Sequence, residues 1–229
     1  MNRTDELATN LRAVQARIAQ ACEAAGRPPA TLVVVTKFFG ADDVRRLAAL
    51  GVTDIGENRD QEAAAKHDQC QDLPLTWHFI GQLQTNKANS VVRYADLIHT
   101  VDRSHLVTAL QKAAARADKQ QDVLLQLNLD PQPRSGRGGV APADLAALME
   151  AAAGAEALRV RGVMGVAPLG EDPAPAFERL QQAAAHVQHE IPGADIVSAG
   201  MSSDLEVAVK YGATHLRIGT AVMGSRPDV

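Results

Sequence analysis

Lys37 closes a run of apolar and β-branched residues, TLVVVTK (31–37). A lysine at the end of a buried strand is held out of water, and desolvation favours its neutral amine. A neutral amine adds to aldehydes, so this position is suited to Schiff-base chemistry. The structural alternative is a side chain that reaches out of the strand end and pairs with Glu57. A second cluster lies late in the chain, where SAGMSSD (198–204) and RIGTAVMG (217–224) each lead from a strand into a helix. Ser202 or Ser203 stands where a helix cap is wanted, Gly200 lets backbone N–H groups turn inward, and Gly219 and Thr220 open the next helix. Two neighbouring helix starts of this composition form an anion site suited to phosphate, with plain capping as the alternative. Arg217 would then lie beside the body of the ligand. A guanidinium stays protonated, so facing a pyridine nitrogen it would act as a donor and keep that nitrogen free of a proton.

These residues need strands to carry them. Short apolar runs predict eight strands, at 31–37, 53–56, 76–80, 96–101, 122–129, 158–164, 194–198 and 213–218. Helical periodicity fills the gaps at 41–51, 58–68, 84–93, 103–118, 141–153, 174–190 and 203–211, with a last short helix from about 220. The first 25 residues predict one more helix, starting at Thr4 and Glu6 and carrying Leu7, Leu11, Val14 and Ile18 on one face. Continuous apolar strands such as DVLLQLNL are what a parallel sheet covered by helices requires. Eight strand–helix units at regular spacing predict an α/β chain folded as a single (β/α)₈ barrel domain over 1–229, with an extra helix in front. An open doubly wound sheet would want a G-x-G-x-x-G turn after its first strand, and TKFFG does not supply one. In a barrel, chemistry gathers at the C-terminal ends of the strands. Lys37, Asn58, His78, Asp102, Ser198, Met201 and Arg217 all fall at or near such ends.

Composition narrows the function classes. The chain has 229 residues, with 23 Lys+Arg against 27 Asp+Glu for a net charge of −4, and 3% aromatic residues. Neither a basic surface nor a stacking platform for nucleic acid is expected. No uninterrupted apolar stretch is long enough for a membrane helix, and MNRTDELATN has no signal-peptide core. With two isolated cysteines, Cys22 and Cys70, a cytoplasmic protein with reduced thiols is expected. The low aromatic content favours a monomer. His186 and His189 stand one helical turn apart, but the seven histidines form no metal set. Glu62 and Lys66 read as an i,i+4 pair on a helix surface. The loop DPQPRSGRGG (130–139) reads as a mobile segment, with Arg134 able to reach a second phosphate or cover the mouth.

The segments VVVTK, GENRDQEA, WHFIGQLQTNK, SGRGG, RGVMGVAP and AGMSSDLEVAVKYGATHLRIGTAVMG together span nearly the whole chain. In them the sequence resembles the pyridoxal-phosphate homeostasis family, also called YggS/PROSC, which looks like the barrel domain of alanine racemase standing alone. The resemblance implies a pyridoxal 5'-phosphate cofactor with Lys37 as its Schiff-base lysine. It implies Asn58 near the ring face or hydroxyl, and His78 near the cofactor. Met201, Ser202, Ser203, Gly219 and Thr220 would hold the phosphate, Arg217 would face the pyridine nitrogen, and Ser198 would touch the cofactor. Arg59 stands where the family often has an aromatic residue, Phe38-Phe39 where it has polar ones, and Ser203 where it has a second acid.

Alanine racemases use a tyrosine from a second, β-rich domain as one of two opposed bases. This chain has about a dozen residues after its last strand, and its two tyrosines, Tyr94 and Tyr211, fall in predicted helices. The expectation is therefore a non-catalytic barrel that carries pyridoxal phosphate and supplies it to apo-enzymes. The alternatives are a racemase with Lys37 as sole base, and an aldolase that binds a sugar-phosphate carbonyl on Lys37 without a cofactor.

Overall fold

The computed structural model describes residues 2–130 and 138–225. Arg134 and most of the 130–139 loop lie outside them. Eight strands alternate with helices in chain order. They are β1 (Thr31–Val35), β2 (Asp54–Glu57), β3 (Thr76–Phe79), β4 (Leu97–Val101), β5 (Gln121–Leu127), β6 (Leu158–Gly165), β7 (Ile196–Ser198) and β8 (His215–Ile218). All pair in parallel with their neighbours in sequence, and β8 pairs back onto β1 to close the barrel. The expected (β/α)₈ architecture and all eight strands are present.

Nine α-helices are described: α1 (Arg3–Ala24), α2 (Ala41–Ala49), α3 (Asp60–Gln69), α4 (Ala88–Tyr94), α5 (Ser104–Arg116), α6 (Leu145–Ala153), α7 (Ala174–Glu190), α8 (Leu205–Lys210) and α9 (Thr220–Met223). Their apolar faces and the outward faces of the strands make one continuous core. The interior of the barrel is different. Leu97, Leu124 and Met164 form a small apolar layer there, and the remaining lumen residues include several polar groups.

The extra helix α1 buries Leu7, Leu11, Val14, Ile18, Ala21 and Cys22, a spacing of three and four residues that puts them on one face. That face packs on α8 and α9. Its cap is Asn2, whose side chain accepts the Asp5 N–H, two residues before the Thr4 start that the sequence suggested. Arg17 on the same helix bonds Glu206 and donates to the Ser202 carbonyl at 3.1 Å. The added helix thus steadies the loop after β7. Cys22 and Cys70 are both buried free thiols.

Candidate functional site

Four contiguous strands, β7, β8, β1 and β2, bring most of the expected residues to one end of the barrel. Lys37 does not end its strand. β1 stops at Val35, and a turn closed by the Phe39 N–H to the Thr36 carbonyl at 3.0 Å carries the lysine. Its neighbour Phe38 takes a φ of 72°, a conformation that bulky side chains avoid. The turn leaves Lys37 half-buried, its ammonium 5.8 Å from the Phe38 ring centroid, with no hydrogen bond or ion pair among the described residues.

Asn58 follows β2. Its Oδ1 is buried and has no hydrogen-bond partner. Gly81, just after β3, is what allows this placement: a Cβ there would lie 2.1 Å from the Asn58 carbonyl oxygen. A side chain of any size would push the two loops apart.

After β7 the chain turns at Gly200 with a φ of 89°. The helix that follows is capped differently from expectation. Asp204 stands at the cap position of α8, and its carboxylate takes the Met201 N–H at 2.6 Å. That bond lies in the loop before the helix, and the Asp204 side chain makes no cap hydrogen bond to the first turn of α8. The hydroxyls of Ser202 and Ser203 make no hydrogen bond among the described residues, and Ser203 is exposed. After β8, Gly219 caps α9, whose first N–H groups have no acceptor within the helix. The Arg217 N–H donates to the Gly200 carbonyl at 3.0 Å and ties the two loops together.

Arg217 is buried and forms no salt bridge among the described residues. One terminal nitrogen donates to Ser198 Oγ at 2.6 Å and the other to the Gly165 carbonyl at 3.0 Å. Burial lowers its pKa to about 10, so it remains a cation at neutral pH. Ser198 Oγ is also 2.9 Å from His99 Nδ1, His99 Nε2 is 2.9 Å from His78 Nδ1, and His78 Nε2 is 2.9 Å from Asp54 Oδ1.

His78, expected near the cofactor, turns its side chain into the barrel interior. It is within β3, 2% exposed, and held between Asp54 and His99 inside the barrel. A parallel strand buried on both faces has no polar alternation to tell which residues turn inward. For the same reason no local pattern singles out His99 and Asp54. The signal available was a histidine in each of three strands, β3, β4 and β8.

A second polar group lies beside Lys37 and Asn58. Lys66 Nζ donates to Glu57 Oε1 at 2.5 Å and to the Thr36 carbonyl at 2.8 Å. Thr36 Oγ1 donates to the same Glu57 oxygen, and Glu57 Oε2 is buried without a partner. Burial pushes the Glu57 carboxyl upward despite Lys66. Glu62 and Lys66 do not form the surface pair that their spacing suggested. Glu62 bonds Arg59 at 3.0 Å and accepts the Phe38 N–H at 3.3 Å. Tyr94 lies in the outer core near Asp60, and burial raises its pKa. Tyr211 follows α8, packed against that core. Among the described residues no three His, Cys, Asp or Glu side chains gather as metal ligands, and no helix is long and apolar enough to cross a membrane.

Residues 9–227 match the family model of the alanine racemase N-terminal domain. The pyridoxal phosphate homeostasis protein of Mycobacterium bovis is 42% identical over 246 aligned residues, covering 98% of this chain and 95% of that protein. The structure of PipY from Synechococcus elongatus PCC7942, with PLP bound, is similar at a TM-score of 0.84 and 35% identity, covering 95% of this chain and 100% of that one. The alanine racemase of Corynebacterium glutamicum shares the fold at a TM-score of 0.72 and 19% identity, and this chain covers 64% of it. The chain belongs to the alanine racemase N-terminal domain family, among the pyridoxal phosphate homeostasis proteins.

Proposed function

We propose that this barrel binds pyridoxal 5'-phosphate reversibly on Lys37 and serves to carry and supply it, without turning over a substrate. The observation that carries the reading is the placement at one barrel mouth of an amine, Lys37, and a buried guanidinium, Arg217, neither of which has an ion-pair partner among the described residues. The cofactor fits the groups present. Its aldehyde suits Lys37, its phosphate suits the unengaged Ser202 and Ser203 hydroxyls beside Met201 with the N–H groups at Gly219 and Thr220, and its ring nitrogen suits Arg217. Asn58 Oδ1 lacks a donor, which the ring hydroxyl supplies. Ser198 acts behind Arg217, and His78 further behind. The names of the relatives support the reading, as does PLP in PipY.

When bound, the cofactor would supply an aldehyde suited to the Lys37 amine and a ring able to accept electrons. Arg217 cannot easily give a proton to the ring nitrogen, which keeps the ring a weak electron sink. Neither described tyrosine stands at the mouth to act as an opposed base. Both features favour holding the cofactor over racemising an amino acid with Lys37 alone.

The test is absorbance with borohydride trapping. Wild type with added pyridoxal phosphate should turn yellow, and after reduction the peptide containing Lys37 should carry the pyridoxyl phosphate mass. Lys37→Ala should do neither. A colourless wild type, or label on another lysine, would defeat the proposal. Lys37-dependent exchange of the alanine Cα proton with solvent deuterium at enzymatic rates would move the assignment to a racemase.

A further inference from the structure

Asp54 and Arg217 stand at opposite ends of the barrel lumen, joined by three side chains at hydrogen-bond distance: His78, His99 and Ser198. His78, His99, Ser198 and Arg217 are each no more than 5% exposed. Asp54 is the half-open end, lining a cavity of about 620 Å³ between α1 and the N-terminal ends of β1 and β2. Arg217 is the other end, where the proposed ligand stands.

The chemistry of the two ends limits who donates to whom. A carboxylate only accepts, so His78 Nε2 carries a hydrogen toward Asp54. A guanidinium only donates, so Ser198 Oγ accepts from Arg217. Between them His99 is fully buried, and burial, with the nearby His78, Arg217 and His215, keeps it neutral. With a single N–H, His99 has two choices. Placed on Nε2, that hydrogen meets the lone pair of His78 Nδ1, and His99 Nδ1 accepts from the Ser198 hydroxyl. Placed on Nδ1, it leaves a bare Nε2 facing His78, which then needs a second proton. That state adds a cation to a lumen already holding the buried Arg217 guanidinium. Asp54, 2.9 Å from His78 Nε2, is the carboxylate that would offset part of that cost.

We infer that Asp54, His78 and His99 are positioning residues for Arg217, forming a one-way chain of hydrogen bonds in which every donor points toward Asp54. Each bond polarises the next, so the carboxylate at the floor strengthens the acceptor that Ser198 offers the guanidinium at the mouth. The chain holds Arg217 in one rotamer. It rests on the proposed function only in taking Arg217 as ligand-facing.

Histidine ¹⁵N NMR on the unliganded wild-type chain tests the chain of bonds directly. Near neutral pH, His78 and His99 should both be neutral Nε2–H tautomers. An Nδ1–H tautomer or an imidazolium at either ring overturns the inference. His99→Phe removes the acceptor for Ser198 and should weaken pyridoxal phosphate binding about tenfold. His99→Asn can still accept from the Ser198 hydroxyl and should lose less. Wild-type affinity in His99→Phe also overturns the inference. If His99→Phe does not fold, the tautomers and His99→Asn decide. Failure of the wild type to bind pyridoxal phosphate would defeat the proposed function, and the tautomers would still report the direction of the bonds.

Discussion

Glu57 takes the ammonium of Lys66, not that of Lys37, with Nζ and Oε1 2.5 Å apart in the barrel wall. Both side chains of the pair are nearly sealed from water, 1% exposed for Glu57 and 7% for Lys66. Lys37, two residues past β1, keeps its amine free as a result. The structural alternative for Lys37, an ion pair with Glu57, is closed by a competitor that the buried pair holds more tightly.

That pair predicts a stability effect. Lys66→Met leaves Glu57 buried with only the Thr36 hydroxyl and should destabilise the fold by about 3 kcal/mol. The double variant Lys66→Met, Glu57→Leu should recover most of that loss, because no unpaired charge remains. Urea denaturation of both variants checks it; a double variant no more stable than the single one would contradict it.

Lys37 should behave in the opposite way. It has no hydrogen bond or ion pair among the described residues, so Lys37→Ala should change stability by no more than about 0.5 kcal/mol while abolishing covalent cofactor binding. Melting curves without added cofactor measure the first, and borohydride trapping the second.

Acid should weaken the fold through the lumen histidines. Burial, then the neighbouring His78, lowers the His215 pKa to about 4, and His99 lies well below its ordinary value. Between 6.5 and 4 the unfolded chain binds protons that the folded chain does not, so stability falls as pH falls. His215 alone accounts for roughly 3 kcal/mol across that window. Asp54 adds a second loss at lower pH, because hydrogen bonds from His78 and Thr53 outweigh burial and hold its carboxyl below 3.8. Denaturation midpoints at several pH values measure the slope, and His215→Gln should flatten it.

Gly81→Ala should weaken cofactor binding. Its Cβ would fall 2.1 Å from the Asn58 carbonyl oxygen, so the Asn58 loop must move and carry Oδ1 with it. The expected loss is about tenfold in affinity, the worth of one good hydrogen bond. Titration of the absorbance measures it; unchanged affinity would place Asn58 outside the site.

The amino-acid sequence alone determined the order of elements, because apolar runs, Gly and Pro stops and helical spacing are local properties. Eight strands each followed by a helix leave few parallel arrangements, and the closed barrel is one of them. For the same reason Lys37, Asn58, Ser198 and Arg217 were legible as residues of one end of the barrel. Tertiary structure decided the partners. Ser198 meets His99 across the lumen at a separation of 99 residues, and Asp54 meets His78 at 24. No local pattern reports such contacts when both faces of a strand are buried. The bond from the Met201 N–H to Asp204, the pairing of Lys66 with Glu57 and the inward turn of His78 were settled by competition among nearby donors and acceptors once the barrel had closed. Burial makes that competition decisive, because an unpaired polar group there has no water to turn to.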